Sequence, residues 1–378
     1  MLKRIFFIWS IFLVPIIGMA DSSLELSVDK VFSHYDISKE PGCVAGIIHK
    51  GEYSYAKGFG LANMEHNIAL TKNSVFRIGS VSKQFTAMAI AILVERELID
   101  LDADVHMYLP ELMDYQHEVT VRQMIHHIAG MGDYDHKVFT KSNGELFRWG
   151  NEDYVTVEEF FEMVIKANLV HEPTTRYQYS NLGYFLLGQV VERVSGQSLR
   201  EFAKTEIFDP LSMNNTHFND NVDQVISNRA YGYQLKDEGY WEVFMTNLDI
   251  VGDGGVFTTL EDFIKWDQNF YTNKLGKKSE ALISMMQTPY PDVFERTKEG
   301  DIPVNYAFAL NIDEAHGEIM IGHGGSWVAF TSFYNRFPRL NTSVVVFCNS
   351  LEQSAYEIGE KIVNIAIPFF KENEGNID

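Results

Sequence analysis

The residues best suited to chemistry lie in the segment RIGSVSKQF, where Ser80 and Lys83 are three positions apart, ahead of an apolar run. Residues i and i+3 meet on one face of a helix, so the lysine amine can reach the serine hydroxyl. A lysine among apolar neighbours loses basicity, because its charged form is poorly solvated, and it can then act as a base near neutral pH. The alternative is that Ser80 only caps the helix and that Lys83 is solvated.

Two other Ser-x-x-Lys spacings occur, and the predicted local structure separates them from Ser80. Ser54 and Lys57 fall in a predicted strand, where an odd spacing places them on opposite faces. Ser27 and Lys30 lie near the N-terminus on a helix that we expect to be exposed, so this pair should be solvated. The glycine before Ser80 lets the chain turn tightly into a helix, whose first backbone N–H groups favour developing negative charge. Ser80 is therefore the candidate nucleophile.

Two distant segments supply candidate partners for this serine. The segment RYQYSNLGYFLLG places Tyr179 and Asn181 ahead of an apolar helix. The segment IGHGGSWVAF places four further candidates at the start of a strand, namely His323, Gly324, Gly325 and Ser326. Taken singly, the first segment is also typical of a helix cap and the second of a turn.

Together and in this order, the three segments resemble the motifs of the serine β-lactamase and penicillin-binding superfamily. The closer likeness is to the branch of class C β-lactamases, D-alanyl-D-alanine carboxypeptidases, D-aminopeptidases and related esterases, which carries Tyr-x-Asn as its middle motif. The segments TVRQMIHHIAGM and VGDGGVFTTLEDFIKW are similar to further parts of that branch, as is the sequence around the nucleophile. The resemblance therefore covers nearly the whole chain.

This resemblance implies a role for each motif residue. Ser80 would attack the substrate carbonyl to form an acyl-enzyme, and Lys83 would act as the base. Tyr179, with a pKa lowered by nearby cations, would protonate the leaving group and then activate water. Asn181 would hydrogen-bond the substrate amide and the Lys83 amine. His323 would hydrogen-bond the tyrosine and carry some positive charge.

The resemblance also implies how the third segment holds the substrate. Gly324 and Gly325 would let an extended substrate lie close to the strand backbone. The backbone N–H groups of Ser80 and Ser326 would form an oxyanion hole, in which one donor is typically worth about 3 kcal/mol of barrier. Neither a metal nor an organic cofactor is expected.

The third motif departs from the family pattern, because it reads His-Gly-Gly and not Lys-Thr-Gly. The family's lysine and threonine help to hold a substrate carboxylate, a task for which His323 and Gly324 are less suited. This favours an ester or a D-amino-acid peptide or amide as the substrate. A β-lactamase or D-alanyl-D-alanine carboxypeptidase is the alternative, since Ser326 could supply the missing hydroxyl. A penicillin-binding sensor that is acylated without turnover is a second alternative.

Other hydrolase classes are less well supported. An α/β-hydrolase would show a Gly-x-Ser-x-Gly elbow, and the sequence has none. A zinc hydrolase is less well supported, because the sequence does not contain the H-E-x-x-H pattern. In addition, the adjacent residues His126 and His127 would point to different sides of a helix. The candidate zinc ligands would be His126, His127, Asp133, Asp135 and His136.

Three aromatic residues near these segments are candidates for contact with the substrate. Tyr134 lies beside the possible metal ligands, whereas Trp327 and Phe330 follow the third motif. They could line an acyl pocket, although packing in the core or at an interface is the more common role of such side chains.

The order of predicted elements indicates an α+β fold. Strand-like segments lie near both ends of the chain, and helical patterns dominate the middle. This order predicts that the terminal strands form one antiparallel sheet flanked by helices, with a mostly helical lobe inserted. The resemblance implies that this is a β-lactamase/transpeptidase-like fold. The predicted sheet lobe comprises residues 21–75 and 251–378, and the helical lobe comprises residues 76–250.

The first 20 residues have the pattern of a secretory signal peptide. Lys3 and Arg4 precede an apolar run that is short for a transmembrane span, and small residues stand before Asp21. We therefore expect cleavage after Ala20 and a periplasmic or secreted protein. An uncleaved membrane anchor is the alternative.

Charge and cysteine content limit the partners and the covalent structure. Asp and Glu number 52 against 31 Lys and Arg, and the formal net charge of −21 argues against nucleic acid or an anionic membrane as a partner. We expect a small-molecule or peptide substrate, no membrane contact after signal cleavage, and a monomer. Cys43 and Cys348 could form one disulfide after export, with free buried thiols as the equal alternative.

Overall fold

The computed structural model describes residues 17–35, 37–133 and 153–374. The α-helices within these ranges are α1 (Ile17–Asp29), α2 (Lys83–Glu95), α3 (Val121–Ile125), α4 (Val157–Val164), α5 (Asn181–Ser195), α6 (Leu199–Ala203), α7 (Leu260–Asn269), α8 (Glu280–Met286) and α9 (Ala355–Glu374). The strands are β1 (Cys43–His49), β2 (Glu52–Phe59), β3 (Leu61–Asn63), β4 (Ile68–Ala69), β5 (Phe76–Arg77), β6 (His217–Phe218), β7 (Tyr233–Leu235), β8 (Trp241–Val243), β9 (Val256–Thr258), β10 (Phe294–Arg296), β11 (Asp301–Pro303), β12 (Asn311–Ala315), β13 (Glu318–Trp327), β14 (Phe330–Phe337) and β15 (Thr342–Cys348).

The principal sheet has six antiparallel strands in the order β12-β13-β14-β15-β1-β2. Strands from the two ends of the sequence therefore meet at β1 and β15, as the sequence predicts. Every residue of β15 is buried, which is the expected pattern for a β-branched strand covered on both faces. Along β1, Ala45 and Ile47 pack in a core with residues of α1 and α9, whereas Val44 and Ile48 face the larger core on the other side. The expected fold class is confirmed.

A disulfide joins Cys43 to Cys348 and settles the alternative that the sequence left open. The two residues are direct partners in the β1–β15 register, with their Cα atoms 4.0 Å apart. The bond therefore links two adjacent strands of the sheet that come from opposite ends of the sequence.

Helix α2 lies at the centre of the helical region. Its residues from Lys83 to Leu93 are all buried, and it packs against α5, α6 and α8. The alanines of KQFTAMAIAILVE allow this close packing while retaining high helix propensity. Helix α2 ends at Glu95, and Glu97 has the positive φ of 61° that is typical of a helix end.

The boundary between the two predicted lobes is crossed by a small sheet. Strand β5, on the helical side of the predicted boundary at residue 76, pairs with β9 on the sheet side. The two predicted lobes are thus in direct contact, and the positions of their boundaries stay predictions.

Helix α1 begins inside the predicted signal segment, whose residues 1–16 lie outside the described ranges. Across the described ranges, no helix is long and apolar enough to cross a membrane.

Candidate active site

The turn that carries Ser80 is held directly against strand β13. Ser80 lies in a 3₁₀ turn, Gly79–Ser82, which leads into α2. Gly79 has φ +50°, and a Cβ there would be 2.7 Å from the backbone nitrogen of Ser326. A Cβ at Gly325 would be 2.9 Å from the backbone nitrogen of Ser80. Both positions therefore require glycine, because the two backbones approach too closely for a side chain.

This approach brings together the two N–H groups that were predicted to form an oxyanion hole. The backbone nitrogens of Ser80 and Ser326 lie on facing segments, with Ser80 half-buried and Ser326 exposed. Ser332, on neighbouring β14, donates from its hydroxyl to the carbonyl of Ile78 over 2.7 Å and fixes the turn to the sheet. Preorganised donors of this kind can stabilise an oxyanion without reorganising during the reaction.

The amine of Lys83 is buried and points at Ser80. Its Nζ lies 3.1 Å from Ser80 Oγ, 2.6 Å from Asn181 Oδ1 and 2.6 Å from the carbonyl oxygen of Asp253. Burial lowers the pKa of Lys83 to about 8, against the opposing influence of the Asp253 and Asp133 carboxylates. The structure thus confirms the predicted Ser80–Lys83 contact and the predicted loss of basicity.

Asn181 is positioned by the start of α5. The hydroxyl of Ser180 caps this helix by accepting from the N–H of Gly183, which places Asn181 in the first turn. Asn181 Oδ1 accepts from Lys83, and its Nδ2 donates to Asp133 Oδ2 over 3.0 Å. Its side-chain amide is therefore oriented by a cation on one side and a carboxylate on the other.

Tyr179 lies beside the lysine, but its acidity differs from the prediction. The Lys83 nitrogen is 4.9 Å from the centre of the Tyr179 ring. The phenol oxygen is buried and has no direct hydrogen-bond partner among the described residues. Burial raises the pKa of Tyr179 above its ordinary value, and the nearby Ser80 hydroxyl offsets this only in part. The predicted lowering of this pKa by cations was therefore wrong, because desolvation dominates.

His323 makes a different hydrogen bond from the one predicted. Its Nε2 lies 3.0 Å from the hydroxyl of Tyr306, whereas the rings of His323 and Tyr179 are 6.1 Å apart at their centres. Burial lowers the pKa of His323 to about 4, with the charge of Lys83 acting in the same direction and the hydrogen bond to the Gly324 carbonyl opposing both. The expected partial positive charge was wrong, because a buried imidazole next to a lysine stays neutral at pH 7.

Gly324 does not border the nucleophile turn. The atom closest to a Cβ there would be the Ser332 carbonyl oxygen, at an ordinary contact distance of 3.7 Å. Gly324 instead lines a cavity of about 330 Å³ together with Phe333 and Tyr356, the latter on α9. The requirement for glycine in this motif therefore rests on Gly325.

Of the three aromatic candidates, the structure describes Phe330 and Trp327. Phe330 is buried in the main core, and Trp327 packs against that core with the Arg77 guanidinium 5.7 Å from its ring centre. Packing is thus the role that these contacts support for both residues. Tyr134 lies outside the described residues.

The histidines considered as metal ligands have other partners. His126 Nδ1 donates to the carbonyl of Tyr306 over 2.8 Å, and His127 bonds the Tyr306 hydroxyl. Asp133 accepts from Asn181. No cluster of three or more potential ligands occurs within the described ranges, and Asp135 and His136 lie outside them.

Three residues that contact the motif residues were missed by sequence reasoning. Asp253 contributes a main-chain carbonyl, which leaves no signature in the residue type, although its VGDGG segment was noted. Asp133 was considered only as a metal ligand. Tyr306 lies in the segment NYAFALNI, and neither a charge nor a motif marks it.

Comparisons with known proteins show the family to which this chain is similar. The family model described as Beta-lactamase matches residues 28–366. Penicillin-binding protein 4* of Bacillus subtilis is 29% identical over 322 residues, covering 81% of this chain and 68% of that protein. The D-aminopeptidase of Gluconobacter oxydans is 25% identical over 312 residues, covering 82% of this chain and 56% of that protein. The chain thus spans little more than half the length of the aminopeptidase.

A solved structure also matches most of the chain. The octameric penicillin-binding protein homologue from Pyrococcus abyssi superposes with a TM-score of 0.72 at 28% identity, covering 93% of this chain and 77% of that one. The expectation that this chain is a monomer stays a prediction. Because the family model spans most of the sequence, and the fold agrees with it, this chain belongs to the Beta-lactamase family and is a serine hydrolase.

Proposed function

We propose that this serine hydrolase cleaves amide or ester bonds of D-amino-acid substrates through an acyl-enzyme on Ser80. The observation that carries the proposal is the arrangement of hydrogen bonds around Lys83. Two of its three N–H directions are taken by Asn181 Oδ1 and by the Asp253 carbonyl, both at 2.6 Å. The third direction points at Ser80 Oγ, 3.1 Å away.

The first half-reaction follows from this arrangement. In its neutral form Lys83 keeps two N–H donors for Asn181 and Asp253, so its lone pair faces the Ser80 hydroxyl. The amine takes the hydroxyl proton as Ser80 Oγ attacks the substrate carbonyl carbon. The oxyanion that forms is stabilised by the backbone N–H groups of Ser80 and Ser326, which the close approach of Gly79 and β13 brings together.

Tyr179 completes the proton transfers. Its phenol is neutral at pH 7, since burial raises its pKa, and it can give its proton to the departing amine or alkoxide. The resulting phenolate is a strong base for the same reason. It takes a proton from the water that attacks the acyl-enzyme carbonyl, and Ser80 Oγ leaves with the proton held by Lys83.

The substrate class is inferred from the neutral third motif and from one relative. His323 carries no charge with which to hold a substrate carboxylate. This favours substrates whose recognition does not depend on a carboxylate at that position, such as amino-acid amides and esters. A relative named D-aminopeptidase supports D-configured substrates. A relative named penicillin-binding protein 4* keeps β-lactamase or carboxypeptidase activity as the second candidate.

Export is part of the proposal. The signal-like first 20 residues support it, and so does the Cys43–Cys348 disulfide, since such bonds persist in oxidising compartments. We propose a periplasmic or secreted location. N-terminal sequencing of the protein recovered from the periplasm or medium should begin at Asp21, and recovery of the uncleaved chain from membranes would contradict cleavage.

A substrate panel tests the proposed activity. D-alanine and L-alanine p-nitroanilides, D-alanyl-D-alanine, p-nitrophenyl butyrate and nitrocefin are compared, with intact mass spectrometry to detect the acyl adduct. We expect sustained turnover, with the D-amino-acid amide preferred over its L form. Fastest turnover of nitrocefin or D-alanyl-D-alanine would transfer the assignment to the second candidate, and a burst that stops at one equivalent would identify a sensor.

Serine variants test the nucleophile within the same panel. Ser80→Ala should abolish turnover and labelling by a fluorophosphonate probe, because the attacking oxygen is removed. Ser27→Ala and Ser54→Ala are matched controls, because each removes the serine of another Ser-x-x-Lys spacing. Labelling that persists in Ser80→Ala would refute the assignment.

A further inference from the structure

A buried chain of hydrogen bonds connects the Tyr179 segment with strand β13. The N–H of Ser180 donates to His127 Nδ1 over 3.1 Å, and His127 Nε2 lies 3.2 Å from the Tyr306 hydroxyl. The same hydroxyl lies 3.0 Å from His323 Nε2. His323 Nδ1 in turn contacts the carbonyl oxygen of Gly324.

The main-chain groups at the two ends fix the direction of every hydrogen bond between them. A backbone N–H can only donate, so His127 Nδ1 is the acceptor nitrogen and its Nε2 carries the proton. A carbonyl can only accept, so His323 Nδ1 carries the proton and its Nε2 is free to accept. The two histidines therefore have opposite tautomers, and the Tyr306 hydroxyl accepts from one and donates to the other.

The surroundings keep both imidazoles neutral. Burial lowers the pKa of each ring, and the ammonium of Lys83 lowers both further. The neighbouring Tyr184 hydroxyl donates to the carbonyl of Ile125 over 2.9 Å, so its proton is committed elsewhere. A second proton on His127 would displace the Ser180 N–H from Nδ1.

The chain of hydrogen bonds reaches the reacting groups at both ends. The anchored N–H belongs to the peptide bond between Tyr179 and Ser180, and the His127 ring also packs 4.3 Å from the Tyr179 ring, centre to centre. At the other end, His323 directly precedes Gly324 and Gly325, and the latter borders the Ser80 turn. The hydroxyl of Tyr306 thus connects the element that carries the phenol with the strand that faces the nucleophile.

We propose that Tyr306 is a positioning residue for the reaction at Ser80, which holds His127 and His323 as opposite neutral tautomers and so ties strand β13 to the Tyr179 segment. This positioning role rests on the proposed function only for the predicted loss of catalytic rate. The arrangement of protons is a property of the resting protein. Its expected effect is on kcat, since a small displacement of reacting groups lowers the rate steeply.

Histidine nitrogen spectra test the arrangement of protons without any substrate. Two-bond ¹H–¹⁵N correlation spectra of the wild-type protein at pH 7 should show His127 protonated at Nε2 and His323 protonated at Nδ1. The two sets of signals are assigned by their loss in His127→Gln and His323→Asn. Identical tautomers, or a doubly protonated ring at either position, would overturn the proposal, whatever the substrate proves to be.

Tyr306→Phe tests the positioning role, because it keeps the ring and removes the hydroxyl. We expect kcat and the rate of fluorophosphonate labelling to fall by about tenfold to a hundredfold, with KM changed by less than about threefold. The ring nitrogen signals of both histidines should shift. Wild-type kcat in a variant whose histidine signals have shifted would overturn the positioning role.

Tyr177→Phe is the matched control. Tyr177 belongs to the same aromatic cluster, with ring centres 5.7 Å from His127 and 5.8 Å from Tyr306, and its hydroxyl takes no part in the hydrogen-bond chain. This variant should retain kcat and both sets of histidine signals. An equal loss of kcat in Tyr177→Phe would indicate a general packing effect and would overturn the specific role of the Tyr306 hydroxyl.

Discussion

Lys83 Nζ and Asn181 Oδ1 are joined by a hydrogen bond of 2.6 Å, although the two residues are 98 positions apart in the sequence. Each is the first residue of its helix, Lys83 of α2 and Asn181 of α5. The positive ends of two helix dipoles therefore converge at the site. Together with burial, this disfavours the ammonium form of Lys83 and favours the negative charge that develops on the substrate.

The pH dependence of the reaction should follow the ionisation of Lys83. Its pKa is lowered to about 8, and only the neutral amine can accept the Ser80 proton. About a tenth of the enzyme is therefore active at pH 7, half at pH 8 and nine-tenths at pH 9. We expect kcat/KM for an uncharged ester to rise about tenfold from pH 7 to a plateau above pH 9. A flat profile over this range would contradict the role of Lys83 as the base.

Lys83→Arg is the control for this profile. A guanidinium stays protonated throughout the range and cannot act as a base, so the rising limb and most of the activity should be lost together. Circular dichroism should confirm that the variant is folded. A folded variant that keeps the same rising limb would assign the ionisation to a different group.

The two glycines of the third motif should respond differently to alanine. A Cβ at Gly325 would collide with the main chain of the nucleophile turn, including the nitrogen of Ser80 at 2.9 Å, whereas a Cβ at Gly324 would meet only an ordinary contact at 3.7 Å. Gly325→Ala should reduce fluorophosphonate labelling by about a hundredfold, because it displaces an oxyanion-hole donor.

Gly324→Ala is the comparison for that variant. It should keep a melting temperature close to that of the wild type and should be labelled at a similar rate. An equal loss of fluorophosphonate labelling in Gly324→Ala and Gly325→Ala would contradict this explanation. It would mean that the close approach of β13 to the Ser80 turn does not cause the requirement for glycine.

Removal of the disulfide should destabilise the protein without altering the reacting groups. The bond closes a loop with a sequence separation of 305, so it strongly restricts the unfolded chain. The double variant Cys43→Ala/Cys348→Ala should lose about 2–4 kcal/mol of unfolding free energy in urea titrations. Dithiothreitol should lower the melting temperature of the wild type and leave that of the double variant unchanged. A reductant effect of equal size on both proteins would contradict the disulfide.

Sequence reasoning identified those site residues whose type and spacing are tied to local structure. Ser80 and Lys83 share a helical face, and Tyr179 and Asn181 stand at a helix start, so spacing was sufficient within each pair. The two pairs were placed in one site by the resemblance to a known family. The partner of His323 could not be found in this way. Tyr306 is 17 residues away in a connecting segment, and its hydrogen bond to His323 depends on the path of the chain through the whole core.

The fold was predictable where the sequence pattern specified burial. The runs that form β1 and β15 are mostly apolar, and their pairing follows from the need to cover both faces of one sheet. The sign of the Tyr179 pKa shift was not predictable. It depends on how deeply the folded chain buries the phenol, and the opposing influence of the Ser80 hydroxyl is smaller than this desolvation.

The covalent bond between Cys43 and Cys348 turns the intervening polypeptide into a closed ring that contains every motif residue from Ser80 to His323. A protease that cuts this ring once produces two pieces that remain attached to each other. The nucleophile and the strand opposite it would then stay in the same molecule after a single nick. The protein is thereby suited to surroundings in which its exposed loops are cut.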